Sequence, residues 1–238
     1  MRLDVLLTQQ GLAESRERAQ ALIMAGKVRV AGETVRRPDR AVADGAPVSV
    51  DSDPGYASRG ALKLGPALDA FGVDPRGLVC ADIGASTGGF TDVLLRRGAA
   101  RVYALDVGRG LLHWRLRQDP RVVVIERVNA REMEAFPEQV GLVVVDVSFI
   151  GLEKVLPAIT RAAPGAPIVA LFKPQFQVER GEVGKGGIVR DEAAVERALS
   201  RFREWCTAND LVVAGEAPSE LPGTEGNREI FVHLRPAR

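Results

Sequence analysis

This chain of 238 residues has few cysteines and almost no net charge. The two cysteines, Cys80 and Cys206, lie in apolar or helical stretches without the spacing of metal ligands, so we expect neither a disulfide nor a zinc site. A formal net charge of +1 gives no sign of a nucleic-acid-binding protein at the level of composition. Any affinity for RNA therefore has to come from local clusters of basic residues.

Long hydrophobic runs are absent as well. No stretch of about 18 apolar residues occurs, which argues against a membrane-spanning helix. The acidic residues Asp4, Glu14 and Glu17 interrupt what would be the hydrophobic part of a signal peptide. We therefore expect a cytoplasmic protein with no membrane partner. Its hydrophobic content of 46% is enough for a real core, and its length suits one large domain or a medium domain with a small one.

The first 50 residues have the pattern of a small separate unit. Apolar spacing predicts helices over Leu3–Gln10 and Arg16–Ala25, each followed by a glycine that can end it. Alternation over Lys27–Val35 around an Ala-Gly turn predicts a hairpin, and Ala46–Val50 reads as one more strand. The polar, breaker-rich residues that follow lead us to assign 51–59 to a linker.

From residue 60 onward, predicted helices alternate with apolar strands. The helices are Ala61–Phe71, Phe90–Arg97 and Glu192–Asn209, and the strands are Leu78–Ile83, Arg101–Leu105, Arg121–Ile125, Leu142–Val145, Ile168–Phe172, Leu211–Glu216 and Glu229–Leu234. This alternation predicts an α/β domain over 60–238, with a mainly parallel sheet covered on both faces. The last strand follows its predecessor by a loop alone, so we expect it to run antiparallel.

The strongest local motif lies where the first strand of this domain turns into a helix, over residues 82–90, which read DIGASTGGF. Glycines there let the backbone approach a ligand, and a helix N-terminus favours an anionic group. A dinucleotide-binding fold uses the same logic but requires the spacing G-x-G-x-x-G, whereas the spacing here is G-x-x-x-G-G behind Asp82. An acid at that point would repel a pyrophosphate and suits the ammonium group of S-adenosylmethionine.

We therefore predict S-adenosylmethionine as the cofactor, with a nucleotide or an unliganded turn as the alternatives. Asp106, at the end of the next strand, could hold ribose hydroxyls. Asn129, after the third strand, could reach the adenine edge, although an asparagine in a loop can equally be a turn residue. The predicted cofactor contacts are Asp82, Gly84, Ser86, Gly88, Gly89, Phe90, Asp106, Asn129 and Asp146. No metal site is predicted.

The methyl acceptor can be narrowed by elimination. Methylation of a base amino group usually needs a polar residue followed by prolines after the fourth strand, but residues 146–150 read DVSFI. Cytosine-5 chemistry needs a cysteine nucleophile, and neither cysteine is placed to act as one. Charged residues do occur where strands or the first helix should bring them together, namely Lys63, Asp146, Lys173 and Glu229.

This charged set suits a ribose 2′-hydroxyl, which is a poor nucleophile until it loses its proton. A lysine can take that proton if burial and a neighbouring cation depress its pKa, and we predict Lys173 in this role, with Asp146 and Lys63 setting its pKa. The alternative is that Lys173 only extends its charged end out of an apolar strand into water.

Five blocks together resemble the TlyA, or haemolysin A, family of FtsJ-like RNA ribose methyltransferases, and they span the chain in order. They are residues 58–64 (SRGALKL), 84–91 (GASTGGFT), 146–150 (DVSFI), 173–176 (KPQF) and 226–229 (GNRE). The resemblance implies a Rossmann-like class I methyltransferase sheet and a catalytic tetrad of Lys63, Asp146, Lys173 and Glu229. Because the chain lacks the extensions of longer members, it also implies a cytidine in large-subunit ribosomal RNA as the target.

Residues 1–50 resemble the alpha-L RNA-binding motif of a small-subunit ribosomal protein and of pseudouridine synthases. They contain eight Lys or Arg against six Asp or Glu, so recognition of RNA would depend on where the basic residues lie. The predicted RNA contacts are Arg2, Arg16, Arg18, Lys27, Arg29, Arg36 and Arg37. The alternative is an ordinary solvated charged face.

Two other functions remain as alternatives. The family name suggests a membrane-lysing haemolysin, but the sequence has no apolar span and no long basic amphipathic helix. An inactive methyltransferase domain could serve as an RNA-binding ribosome assembly factor, although such a protein has no need of four charges at strand ends. We expect ribosomal RNA or a ribosomal subunit as the partner, and the sequence predicts no oligomeric state.

Overall fold

The structure is a computed structural model that describes residues 1–13, 15–24, 26–43, 45–50, 55–223 and 226–237, with the side chains of Arg18 and Arg180 outside the description. The chain divides into two compact units, Met1–Gly55 and Tyr56–Arg238. Residues 56–59, which the sequence analysis assigned to the linker, therefore belong to the second unit. Most of the remaining linker, 51–54, and the last residue of the second predicted helix, Ala25, lie outside the described residues.

The first unit contains two helices and a small sheet: α1 (Leu3–Gln9), α2 (Arg16–Met24), β1 (Val28–Val30), β2 (Glu33–Val35) and β3 (Val48–Val50). The sheet has the order β2-β1-β3 and is antiparallel throughout. Its hairpin turns at Ala31 and Gly32, whose φ angles of 49° and 85° give the tight turn that joins two antiparallel strands. The apolar faces of α1 and α2, including Leu3, Leu7 and Ile23, are buried against this sheet.

The second unit alternates helices and strands as follows: α3 (Ala61–Phe71), β4 (Val79–Ile83), α4 (Gly89–Arg96), β5 (Arg101–Asp106), α5 (Trp114–Arg117), β6 (Val122–Glu126), β7 (Leu142–Val145), α6 (Leu156–Ala162), β8 (Ile168–Phe172), α7 (Glu192–Ala208), β9 (Leu211–Pro218) and β10 (Ile230–Pro236). All the predicted helices and strands are present, with ends that differ by a few residues. The short helices α5 and α6 were not predicted; α5 has only four residues, too few to show a period.

The seven strands of this unit form one sheet in the order β6-β5-β4-β7-β8-β10-β9. The first five in that order are parallel, and β10 is antiparallel to both of its neighbours, β8 and β9. The prediction of an antiparallel last strand is therefore confirmed. The order is that of a doubly wound fold with one additional strand inserted before the edge.

Both faces of the sheet are covered, which explains why its strands are so apolar. Neighbouring strand residues such as Cys80 and Ala81 point to opposite faces and join separate cores, one with α3 and α4 and the other with α6 and α7. β8 is buried along its whole length, whereas β9, at the edge, is buried only at Leu211 and then alternates between exposed and half-buried residues. The carboxyl ends of the five parallel strands therefore meet at one edge, where polar side chains can gather.

Candidate active site

The glycine loop between β4 and α4 is held against the neighbouring strand end. Gly84 has a φ of 86°, and a Cβ there would collide with the backbone oxygen of Asp146, which follows β7. Gly88 has a φ of 94°, and a Cβ there would collide with Leu116 of α5. Both positions need glycine for conformation and for close approach, so the spacing seen in the sequence reflects packing as well as ligand access.

Asp106 ties this loop to the end of β5. One of its carboxylate oxygens accepts a hydrogen bond of 2.7 Å from the backbone amide of Ser86, and the other accepts one of 2.7 Å from Gly108. Ser86 itself has a left-handed φ of 49°, a conformation that this bond helps to hold. The carboxylate thus lies fixed at the strand end while keeping further acceptor positions for a ligand.

Asp82 lies buried beneath the loop. Its side chain is fully buried, and Oδ2 accepts a hydrogen bond of 2.6 Å from the Thr91 hydroxyl. Burial raises the pKa of Asp82 to about 7, although the hydrogen bond from Thr91 opposes this. Asp82 and Gly88 line neither of the cavities described next, so direct contact of either residue with a cofactor has no support in the geometry.

Two cavities open at the carboxyl edge of the sheet. The first, here called the charged cavity, has a volume of about 490 Å³ and is lined by Lys63, Asp146, Lys173 and Glu229. The second, here called the apolar cavity, has a volume of about 460 Å³ and is lined mainly by aliphatic side chains. These are Leu105, Val107, Leu111, Val128, Val147, Ile150 and Val155.

The two cavities share part of their walls and divide the other predicted residues between them. Gly84, Ser86, Asp146 and Ser148 line both. The predicted cofactor residues Gly89 and Phe90 line the charged cavity, and Asp106 and Asn129 line the apolar one. The Asn129 side chain also accepts a hydrogen bond of 3.1 Å from the backbone amide of Arg131, so Asn129 is a turn residue as well as a lining one.

The four charged residues of the first cavity form two ion pairs. Lys63 Nζ lies 2.6 Å from Glu229 Oε2, and Lys173 Nζ lies 2.6 Å from Asp146 Oδ1. The sequence analysis had grouped Lys63 with Lys173, but each lysine has its own acid. The Lys173 ammonium also donates a hydrogen bond of 2.9 Å to Ser148 Oγ.

Sequence reasoning missed two residues beside these cavities: Ser148 lines both, and Phe149 lines the apolar one. Ser148 was not singled out because serine is common in loops. The sequence signal that could have identified it is its position two residues after Asp146, the acid at the end of a strand. Phe149 is 90% exposed, has a φ of 65°, and packs with its ring centroid 5.3 Å from that of Phe176. A bulky residue with positive φ is rare and marks a position under constraint.

The cysteines and the metal chemistry can be judged from the same structure. Cys80 and Cys206 are buried, and burial raises the pKa of each thiol to about 12, which suits packing and not nucleophilic attack. Among the described residues, no group of three or more His, Cys, Asp or Glu side chains is arranged to hold a metal ion.

In the first unit, Asp4 and Asp39 bind three of the predicted RNA-contacting arginines. Buried Asp4 accepts hydrogen bonds of 3.0 Å from both Arg2 and Arg16, and the Arg2 guanidinium holds the pKa of Asp4 well below its usual range. Arg37 pairs with exposed Asp39 at 3.2 Å. Arg29 and Arg36 are exposed and Lys27 is half-buried, whereas the Arg18 side chain lies outside the described residues.

The fold and the site together define a class of protein. In the sheet, an antiparallel strand separates the fifth parallel strand from the edge. A glycine loop follows the central strand, and an acid ends the next strand. This combination is that of class I methyltransferases. Their methyl donor is S-adenosylmethionine, and the glycine loop and the two adjoining cavities fit it.

The family follows from comparison with known proteins. The FtsJ-like methyltransferase family model matches residues 56–236, and the S4 domain model matches residues 1–48. The chain is 49% identical to a protein from Mycobacterium tuberculosis, the 16S/23S rRNA (cytidine-2′-O)-methyltransferase TlyA, over 98% of this chain and 89% of the relative. It therefore belongs to the TlyA family of FtsJ-like methyltransferases.

Two further comparisons agree with this assignment. The 23S rRNA (cytidine-2′-O)-methyltransferase TlyA of Campylobacter jejuni is 36% identical over 75% of this chain and 70% of the relative. A solved structure from Streptococcus thermophilus, provisionally described as a hemolysin, is 41% identical, covers 99% of this chain and 88% of its own, and superposes with a TM-score of 0.77. Within the described residues, no helix has the length and apolar character needed to cross a bilayer.

Proposed function

We propose that this protein methylates the 2′-hydroxyl of a cytidine in large-subunit ribosomal RNA. The observation that carries the proposal is the pair of lysine–acid contacts in one cavity that adjoins a second, apolar cavity through Asp146 and Ser148. The nature of the RNA is supported by the two TlyA relatives, whose names share the 23S rRNA cytidine. Because ribosomal subunits are inside the cell, we place the reaction in the cytoplasm.

The donor is proposed to place its adenosine in the apolar cavity and its methionine over the glycine loop. Aliphatic side chains would contact the adenine, and the Asp106 carboxylate, fixed by two backbone amides, would accept hydrogen bonds from the ribose hydroxyls. Asn129 lines the same cavity and would meet the adenine edge. Asp82 would act only from beneath, by holding Thr91 of α4 and thereby the loop.

The bound donor supplies a methyl group on a sulfonium, which is already a good leaving group. The protein must then orient the ribose and remove the 2′-hydroxyl proton. Lys173, with 11% of its side chain exposed, is held by Asp146 at the wall shared by the two cavities, and we assign it the proton. Lys63 and Glu229 form the second pair and would orient the ribose from the other side of the charged cavity.

The target base is proposed to stack on Phe149. A ribose can enter a cavity of this size only if its nucleotide is turned out of the RNA stack, which leaves a base in need of a surface. Phe149 directly follows Ser148 and lines the apolar cavity, and its ring is held outward by a left-handed backbone and by Phe176. Stacking on an aromatic ring stabilises a bound base by about 1–3 kcal/mol.

The proposal can be tested by offering purified large and small ribosomal subunits separately with methyl-labelled donor. We expect label in the large subunit, at a position that becomes resistant to alkaline cleavage because its 2′-oxygen is blocked. Label on a base would contradict the acceptor, and label confined to the small subunit would contradict the choice of RNA.

The role of Lys173 is tested in the same assay with Lys173→Arg. Arginine keeps a positive charge and hydrogen-bond donors but does not lose its proton, so the single-turnover rate should fall by at least about a hundredfold. Lys154→Arg, a change at an exposed lysine of the same unit, is the matched control and should react at the wild-type rate. Equal rates for the two variants would show that Lys173 does not accept the proton of the 2′-hydroxyl.

A further inference from the structure

Lys173 does not face the charged cavity alone. Its ammonium donates to Ser148 Oγ at 2.9 Å, and the lysine side chain is only 11% exposed whereas Ser148 is an exposed residue. A hydroxyl that enters the cavity therefore meets the serine more readily than the lysine. Both side chains line the charged cavity, and the serine hydroxyl is the more exposed end of this hydrogen-bonded pair.

Ser148 also lies where the two cavities meet. It is one of four residues that line both, and of these it is the one whose side-chain hydroxyl is bonded to a lysine, among the residues that the structure describes. Methyl transfer has to take place where donor and acceptor come together, so the Ser148 hydroxyl lies at the position where a proton must be removed.

We propose that Ser148 relays the proton from the ribose 2′-hydroxyl to Lys173. This rests on the proposed function. The 2′-hydroxyl gives its proton to Ser148 Oγ, Ser148 gives its own proton to the neutral amine of Lys173, and the 2′-oxygen forms its bond to the methyl carbon as the carbon–sulfur bond of the donor breaks. The serine ends as it began, and Lys173 ends as an ammonium that donates to Ser148, which is the hydrogen bond observed.

The chemistry of the two side chains agrees with this order. A serine hydroxyl is one donor and two acceptors, so it can accept from the ribose while donating to the lysine. Asp146, 2.6 Å from the lysine nitrogen, stabilises the ammonium formed at the end of the relay. Ser148 is thereby a catalytic residue, since it touches the reacting hydroxyl.

The relay is tested with Ser148→Ala and Ser148→Thr in the full-length protein, using single-turnover methylation of the large ribosomal subunit. Because Ser148 is exposed, neither change should disturb folding, and because it also lines the donor's cavity, calorimetry with the donor is run on each variant and the rates are compared at saturating donor. We expect the alanine variant to lose at least about tenfold in rate and the threonine variant, which keeps a hydroxyl, to recover most of it. Ser200→Ala, at an exposed position on α7, is the control for loss of a serine hydroxyl.

The methylation rate can also be measured in mixtures of light and heavy water. Its dependence on the deuterium fraction would not change if Ser148 had only a structural role. Two protons move in the relay, so the wild-type rate should depend on the deuterium fraction along a curve, and the alanine variant along a straight line. An alanine variant as fast as Ser200→Ala, or a curve that persists without the hydroxyl, would overturn the relay while wild-type methylation still stands. Absence of ribose methylation by the wild type would instead overturn the proposed function.

Discussion

At the scale of single residues, Asp82 is unusual because its carboxyl group is fully buried, with Thr91 as its hydrogen-bond partner. Its Oδ1 has no hydrogen-bond partner within the described part of the chain. Burial raises its pKa to about 7, so the folded protein favours the neutral carboxyl. Asp82 therefore links the stability of the loop to pH.

We predict that Asp82→Asn removes this dependence. The raised pKa means that the contribution of Asp82 to stability is complete below about pH 4, the ordinary pKa of an unfolded aspartate, and is lost as the pH rises through about 7. Asparagine keeps the shape and the acceptor for Thr91 but cannot ionise. The free energy of unfolding, measured by denaturant titration at about pH 5 and about pH 8, should fall less in the variant than in the wild type.

The wild type and Asp82→Asn have to be compared with each other because Asp4 makes stability depend on pH in the opposite direction. The pKa of Asp4 is lowered by Arg2, so its contribution is present at neutral pH and lost in acid. Asp4 is common to wild type and variant and cancels in the difference. A difference between the two proteins that is the same at both pH values would contradict the assignment to Asp82.

The sequence could predict that the charged residues would converge, but not how they would pair. Asp146 and Lys173 follow apolar parallel strands, whose carboxyl ends share an edge, while Lys63 lies in the helix before the first of them and Glu229 precedes the last strand. The choice of partner depends on where β10 enters the sheet, which is a matter of tertiary packing. The full burial of Asp82 was not predicted for the same reason, since the depth of burial of a strand residue is set by the elements that cover it.

At the scale of elements, one asparagine connects two loops behind the charged cavity. Asn227 is 1% exposed; its Oδ1 accepts a hydrogen bond of 2.9 Å from the amide of Val189, and its Nδ2 donates one of 2.8 Å to the oxygen of Gly187. Its own backbone oxygen accepts one of 2.9 Å from Gly223. Asn227 thus joins the segment before α7 to the loop that delivers Glu229 two residues later.

We predict that Asn227→Ala destabilises the protein by about 1–3 kcal/mol, because it removes a buried side chain and leaves the Val189 amide and the Gly187 carbonyl without their partner. Asn209→Ala is the matched control: Asn209 is exposed and its side chain donates one hydrogen bond, to the oxygen of Trp205, so its loss should change stability by less than about 0.5 kcal/mol. Chemical denaturation measures both. Equal effects of the two changes would show that the buried bridge has no special weight.

At the scale of the whole molecule, the boundary between the units is earlier than the sequence suggested. Residues 56 and 57 are bound to α4: the Ala57 amide donates a hydrogen bond of 2.8 Å to Asp92, and the Arg96 guanidinium lies 4.2 Å from the centroid of the Tyr56 ring. Composition marked the start of the linker, but its end depends on these contacts, which join residues far apart in sequence.

We predict that a fragment of residues 56–238 is more stable than one of residues 60–238 by about 2 kcal/mol. The shorter fragment loses a hydrogen bond to a charged group and a cation–π contact, and it leaves the Asp92 carboxylate less satisfied. Thermal unfolding of the two fragments gives the comparison. Equal stabilities would place residues 56–59 back in the linker.

The position of β10 determines when the charged cavity can be completed during synthesis of the chain. β10 is the last strand of the sheet along the chain, yet it lies inside the sheet, between β8 and β9. Until β10 has been synthesised, β8 and β9 lack the strand that pairs with both of them. Lys63 likewise lacks Glu229, its ion-pair partner, which is 166 residues further along the chain. A chain that stops before Glu229 therefore lacks the acid that pairs with Lys63, and its charged cavity is incomplete.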